Sequence, residues 1–187
     1  DVLNKATIVQ FTGGADVSPS LYGQKAHPKT RPNIERDRRE VMIFGHCVAN
    51  AIPMSGICRG AQFINVMCGG SMWQDVDGHI LPGTHEVIDE INTEVFDATS
   101  THHQIMRPNK RAMVLASAYI SKKRECYDAK DMLICSHSKN SEGDPEIVYY
   151  AEDNALCFQP HPELPGHTKL AGIYFDYMDK YVLGKDY

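Results

Sequence analysis

Two short segments carry residues whose types and spacing suit covalent catalysis. The first is Gly56-Ile57-Cys58-Arg59-Gly60, a thiol version of the G-x-S-x-G turn, in which a strand reverses sharply into a helix and lifts its central residue above the sheet edge. Its two glycines have a steric task, because a larger side chain at either position would hold strand and helix apart. At a helix N-terminus the dipole and the free N–H groups favour an anion, so this placement predicts a Cys58 thiol that ionises near neutral pH. The second segment is Phe158-Gln159-Pro160-His161-Pro162-Glu163. A thiolate that attacks a carbonyl needs a base that takes a proton and later returns it, and a carboxylate that fixes the tautomer of that base. His161 and Glu163, two apart in an extended segment stiffened by prolines, face the same way and can form that pair. Each segment alone has a plainer reading, a packed core thiol and a polar turn. Together they point to nucleophilic catalysis.

The surrounding pattern supplies elements able to position these residues. Residues 6–12 are rich in β-branched and aromatic types and stop at Gly13-Gly14, which predicts a buried strand running into a tight loop. Residues 15–33 hold too many prolines and turn formers for regular structure. An amphipathic helix is expected over residues 34–50, a short strand over 53–57, and a buried helix over 59–68 closed by Gly69-Gly70. Strand-like runs follow at 86–88, 93–96, 113–120, 133–136, 147–151 and 156–159, before a last helix over 167–183. Strands alternating with helices early and then a run of strands predict an α/β fold on a central mixed sheet.

The chain has 187 residues, 42% hydrophobic and 23% charged, which predicts one globular domain over residues 1–187. A net charge of −5 argues against nucleic acid or an anionic membrane as a partner. The basic clusters Arg36-Asp37-Arg38-Arg39 and Lys122-Lys123-Arg124 read as solvated faces. No apolar run is long enough to span a membrane, and the first residues lack a signal-peptide pattern, so a cytoplasmic location is expected. The cysteines at 47, 58, 68, 126, 135 and 157 include no C-x-x-C pair and read as reduced thiols. Nine histidines without H-x-x-x-H or Cys/His ligand spacing leave no expected metal site or cofactor.

The blocks Gly56-Ile57-Cys58-Arg59-Gly60-Ala61-Gln62 and Gln159-Pro160-His161-Pro162-Glu163 resemble the class I glutamine amidotransferase superfamily, and within it the γ-glutamyl hydrolase branch (γ-glutamyl-γ-aminobutyrate hydrolase-like, peptidase C26). Further matches are the loop from Thr12 to Pro19 with Leu21-Tyr22-Gly23, the Arg36-Asp37-x-x-Glu40 opening of the next helix, and Ser100-Thr101-His102-His103-Gln104. The resemblance implies a three-layer, flavodoxin-like α/β fold with a mostly parallel central sheet and flanking helices. It also implies hydrolysis of a small-molecule γ-glutamyl amide through a thioester on Cys58. His161 would be the base and then the acid, and Glu163 its orienting partner. The backbone N–H of Arg59 and that of Gly13 or Gly14 would form the oxyanion hole, while Gln62 and His102 would hold substrate. Asp75 and His85 are similar to family positions and are assigned no role. Pro160 departs from the aromatic residue usual before the histidine. Only twelve residues precede Gly13, so the first βαβ unit of the family is expected to be missing, and the strand edge so exposed invites a second copy in a homodimer. An ammonia-accepting synthetase or ligase is the other expected partner. The competing expectation is a binding or regulatory subunit with the same fold and no turnover.

Overall fold

The computed structural model describes residues 3–127, 133–136 and 143–185. In chain order the elements are β1 (Val9–Phe11), α1 (Ile34–Ala49), β2 (Met54–Ile57), α2 (Arg59–Met67), β3 (Ser71–Trp73), β4 (Asp75–Val76), β5 (Ile80–Asp89), β6 (Val95–Thr101), β7 (Ile105–Arg107), β8 (Met113–Ala118), β9 (Arg124–Tyr127), β10 (Leu133–Ser136), β11 (Asp144–Tyr150), β12 (Ala155–Phe158) and α3 (Thr168–Tyr177). A wider helical turn, Met178–Val182, continues α3.

Seven strands form the main sheet in the order β1-β2-β12-β11-β8-β5-β6. Two smaller sheets, β10-β9-β4 and β3-β7, pack beside it. The α/β class and the mixed sheet are as the element pattern predicts, whereas the mostly parallel sheet that the resemblance implies is not found. Among its described strands only β1 with β2 and β2 with β12 run parallel, and the remaining neighbours are antiparallel. The reason lies in the connections. Parallel neighbours need a crossover helix, which α1 and α2 supply to the first strands, whereas β5 to β6 and β11 to β12 are joined by short turns that only antiparallel strands can use.

Period-two alternation feeds both faces of this sheet. Cys157 and Val148 point into one core with Phe44 of α1 and Phe63 and Ile64 of α2. Phe158 and Ile147 point into the other, under Leu170 and Tyr174 of α3. The structure therefore has three layers, with α1 and α2 on one side and α3 on the other. Cys47, Cys58, Cys68 and Cys157 are free, buried thiols, and Cys126 is buried as well; the side chain of Cys135 lies outside what is described. No helix among the described residues is long and apolar enough to cross a membrane.

α1 starts where Asn33 Oδ1 accepts the Arg36 N–H at 3.0 Å, with Glu35 and Asp37 in the first turn, where the positive end of the dipole favours acids. α2 is buried from Arg59 through Val66, so its position depends on backbone contact. A β-carbon on Gly56 would overlap the backbone of Gly60, and one on Gly60 would overlap the carbonyl of Phe11 in β1. The N-terminus of α2 thus sits directly on β1 and β2. Gly45 of α1, by contrast, has open space around its missing side chain. Urea unfolding separates the two cases. Gly60→Ala should lose about 1–3 kcal/mol or more through overpacking, and Gly45→Ala should gain about 0.5–1 kcal/mol from helix propensity. Equal tolerance of both substitutions would contradict the close approach.

Candidate active site

The parallel part of the sheet decides where chemistry collects. Phe11 pairs with Gly56 and Ile57 pairs with Phe158, so β1, β2 and β12 end at one edge, side by side. The segments leaving these ends are the Gly13-Gly14 loop, the turn at Cys58, and the loop that carries His161 and Glu163. Carboxyl ends of neighbouring parallel strands are where open α/β sheets assemble ligand sites.

Cys58 is the residue between β2 and α2, with φ 52° and ψ −111°, a positive φ that a residue with a β-carbon rarely adopts. Its N–H donates to the Phe158 carbonyl at 2.9 Å, which ties the turn to β12. A β-carbon built on Gly13 would lie 3.7 Å from Cys58 Cβ, 3.0 Å from His161 Cε1 and 3.9 Å from His161 Nε2. Gly13, Cys58 and His161 therefore meet at one point, and only a residue without a side chain leaves room there. His161 Nδ1 is 2.6 Å from Glu163 Oε1, and the His161 N–H donates to Thr99 Oγ1 at 2.7 Å. With the carboxylate on Nδ1, the imidazole is held with Nε2 free for proton transfer. The Glu163 side chain is about half exposed, at 52%.

The thiol departs from expectation. Cys58 is 8% exposed, and burial pushes its pKa up to about 12, reinforced by the carboxylates of Glu163, Glu146 and Asp16, with the Arg59 N–H acting in the opposite direction. Desolvation outweighs the helix N-terminus here. Cys58 therefore rests as a thiol, and an anion can form only as the proton leaves to a base.

Behind the site stands a chain of alternating charges, Arg36, Glu40, Arg59 and Asp37, of which Arg36 and Asp37 were expected on a solvated face. Arg36 donates from Nη1 to the Gly13 carbonyl at 2.8 Å, from Nη2 to the Thr12 carbonyl at 2.7 Å, and from Nε to Glu40 at 2.8 Å. Gly14, at φ 143°, passes so close that a β-carbon would overlap this guanidinium. The Arg59 guanidinium, 1% exposed, pairs with Glu40 and Asp37 and lies over the Phe63 ring. Burial lowers the pKa of Arg59 to about 10, mainly by desolvation and then by the neighbouring Arg36, while Asp37 opposes the shift. Asp37, 2% exposed, also accepts the Ser18 N–H at 3.0 Å. Arg36 and Asp37 are thus structural, while Arg39 pairs with exposed Glu35. The missed signal was the spacing: positions 36, 37 and 40 share one side of a helix.

Two residues expected to hold substrate are buried. Gln62, 3% exposed, donates to the Gln104 carbonyl and to Gln159 Oε1, both at 3.2 Å. His102, 4% exposed, has Nδ1 2.9 Å from the Gln104 carbonyl and Nε2 3.7 Å from Glu146 Oε1. It faces the interior, not a substrate-side loop, and burial lowers its pKa to about 4, with the neighbouring Glu146 opposing. His103 is the more accessible of the pair and lies 3.3 Å from Asp16, whose hydrogen bond raises its pKa. Contrary to the expectation of no metal-type cluster, two groups of potential ligands gather: His79 with His85 and Glu146, and His27 with Asp75 and Glu125.

Comparison with known proteins gives the family and the fold. The family model described as Peptidase C26 matches residues 1–163. The glutamine amidotransferase-like protein YvdE of Lactococcus lactis is 30% identical over 176 residues, covering 90% of this chain and 72% of that protein. Other curated relatives are matched over 27% to 48% of their length. Among solved structures, a glutamine amidotransferase from Thermotoga maritima superposes with a TM-score of 0.53 at 14% identity, over 92% of this chain and 84% of that one. The glutaminase domain of Trypanosoma brucei CTPS, with bound acivicin, gives 0.54 at 14% identity over 100% of this chain and 74% of that one. The structural likeness carries the fold; the family match and the relative in Lactococcus carry the kinship, and the chain belongs to the peptidase C26 family.

Proposed function

We propose that this protein cleaves a γ-glutamyl amide, in glutamine or a γ-glutamyl amine, through a thioester on Cys58. The observation that carries this reading is the meeting of Gly13, Cys58 and His161 at one point, with Glu163 2.6 Å from the far nitrogen of His161. As Cys58 Sγ bonds to the γ-carbonyl carbon, its proton passes to His161 Nε2. The carbonyl oxygen becomes an oxyanion, and collapse of the adduct breaks the C–N bond while His161 returns the proton to the departing ammonia or amine. Water, deprotonated by the same histidine, then splits the thioester and releases glutamate.

The oxyanion needs donors fixed before charge develops. The Arg59 N–H at the start of α2 is one. Arg36 supports the other, because a peptide points its N–H opposite to its carbonyl. With the Thr12 and Gly13 carbonyls turned toward Arg36, the N–H groups of Gly13 and Gly14 turn away from it.

A second reading is a glutaminase that hands its ammonia to a synthetase or ligase on another chain. The amidotransferase and glutaminase likenesses favour it. Glutamine turnover only in the presence of such a partner would select that version, and fast cleavage of γ-glutamyl amines by the isolated chain would select the free-standing hydrolase.

The direct test follows glutamate release from glutamine and several γ-glutamyl amides. Cys58→Ala should lower the rate by at least about 10³-fold, and acivicin should add covalently to the wild type and not to the variant. Activity that survives the substitution would overturn the mechanism, and a chain inert to all substrates and to acivicin would leave a non-catalytic role. A buried thiol with a pKa of about 12 is neutral below that pH and ionises as pH rises. Iodoacetamide labelling of Cys58 without substrate should therefore climb about tenfold per pH unit from pH 7 to 10; a plateau near pH 7 would mean a resting thiolate. Arg36→Met should reduce kcat by about 10²–10³-fold with little change in KM, as expected for a displaced oxyanion donor. A change confined to KM would sink that assignment.

A further inference from the structure

The interior of the sheet holds a group of side chains that hydrogen bonding within the protein leaves unresolved. His79 precedes β5, His85 lies within it, His102 follows β6, and Glu146 lies on β11. Glu146 is fully buried, as is His79, and the other two are nearly so. The Glu146 oxygens, both nitrogens of His85 and His102 Nε2 have no hydrogen-bond partner among the described residues.

The tautomers make this a conflict of acceptors. His79 Nε2 lies 3.0 Å from Asp144 Oδ2. Asp144 is a carboxylate that also takes the Arg124 guanidinium and the Ser121 N–H. Facing such an acceptor, the imidazole proton belongs on Nε2, which leaves a lone pair on Nδ1, 3.4 Å from Glu146 Oε1. Ser100 does not cover that lone pair, because its hydroxyl donates to the His79 carbonyl at 2.8 Å. His102 likewise gives its Nδ1 proton to the Gln104 carbonyl, so a second lone pair, on Nε2, lies 3.7 Å from Glu146 Oε1. His85 Nε2 stands 3.2 Å from the same oxygen. Lone pairs crowded around a buried carboxylate oxygen repel and are costly. A cation among them turns such repulsions into bonds.

The spacing suits such an ion. Bonds of about 2.0–2.1 Å to nitrogen and oxygen in a tetrahedron set ligand atoms about 3.3 Å apart, close to the separations found around Glu146 Oε1. Asp144 behind His79 is the outer carboxylate that orients a metal-bound imidazole. The other cluster makes no such demand: His27 lies 2.8 Å from Glu125, Lys123 also pairs with Glu125, and Lys29 lies 2.7 Å from Asp75, so each carboxylate already has a cationic or donor neighbour.

We propose that His79, His85 and Glu146 bind one divalent transition-metal ion of the zinc class, with His102 beside the fourth position, as a closed structural site. Imidazole nitrogens with one carboxylate select zinc and its neighbours over magnesium or calcium.

The whole chain, expressed with zinc in the medium, should carry about one zinc by elemental mass spectrometry, as a structural site would hold. The ion should be released to a colorimetric chelator only on unfolding. Refolding with Co(II) should give the visible absorption of a tetrahedral nitrogen–oxygen site. Glu146→Gln should abolish the band and the bound zinc, whereas Cys58→Ala should keep both. Zinc lost with Cys58→Ala would place the ion at the thiol and overturn the proposal. So would a wild type that holds less than about a tenth of an equivalent after expression and after refolding with zinc, because a proton shared with Glu146 would then hold the cluster. The wild-type measurements decide the matter even if Glu146→Gln fails to fold.

Discussion

The contact on which the rest of the site depends is the seating of the α2 N-terminus on β1 and β2 through Gly56 and Gly60. It permits a helix to begin one residue after a strand ends, and it forces Cys58 into a positive φ. Such a conformation costs on the order of 1–3 kcal/mol, and surrounding structure must impose it. Here the constraint is visible on each side. The Cys58 N–H is held by Phe158, β2 is buried between two parallel neighbours, and the first eight residues of α2 are buried. Strain at Cys58 and the positions of Gly13 and His161 are therefore consequences of one packing arrangement.

Burial that fixes the geometry also sets the electrostatics. It pushes the Cys58 thiol up and the Arg59 guanidinium down, in both cases disfavouring charge. The protein answers the two cases differently. Arg59 receives Asp37 and Glu40 and remains a cation, because its role behind the turn is to pull α1 against α2. Among the described residues Cys58 receives no cationic side chain that lowers its pKa, only the Arg59 N–H, so the neutral thiol is favoured. Glu40 joins Arg59 to Arg36, and Arg36 holds the two carbonyls of the Thr12–Gly13 segment. The turn and the loop facing it are thus braced by the same side of α1.

What could be read from the sequence was what is local. The turn at Cys58 was legible because two glycines four residues apart mark a steric requirement, and the Phe158 to Glu163 loop because its spacing states an orientation. α1 and α2 were legible from periodicity. The strands β3, β4, β7 and β9 were not, since runs of two to four residues carry too little pattern. A mixed sheet was legible from the run of strands, but which neighbours run parallel was not, because that depends on which strands meet, and β12 inserts between β2 and β11 from far along the chain. Arg36 was misread as a solvated residue, since its partner carbonyls belong to a loop more than twenty residues away. The histidine cluster was invisible for the same reason: its members lie before β5, in β5, after β6 and in β11, so no ligand spacing exists to be seen.

That cluster and the loops of the proposed site are not independent. The Glu146 carbonyl accepts the Gln159 N–H at 2.8 Å, two residues before His161. The Gln104 carbonyl accepts from both His102 and Gln62, and Gln62 reaches Gln159 from one turn beyond Cys58. Thr99, which anchors the His161 backbone, neighbours Ser100, which holds the His79 carbonyl. The Cys58 turn and the His161 loop therefore each have a short covalent or hydrogen-bonded route to the residues around Glu146. In the proposed mechanism a base must stand within a few tenths of an ångström of its working position for efficient proton transfer. The His161 loop is partly exposed at Glu163, so its placement cannot come from burial alone. The fixed point must lie inward, and the sheet residues that run to Glu146 and His79 supply it.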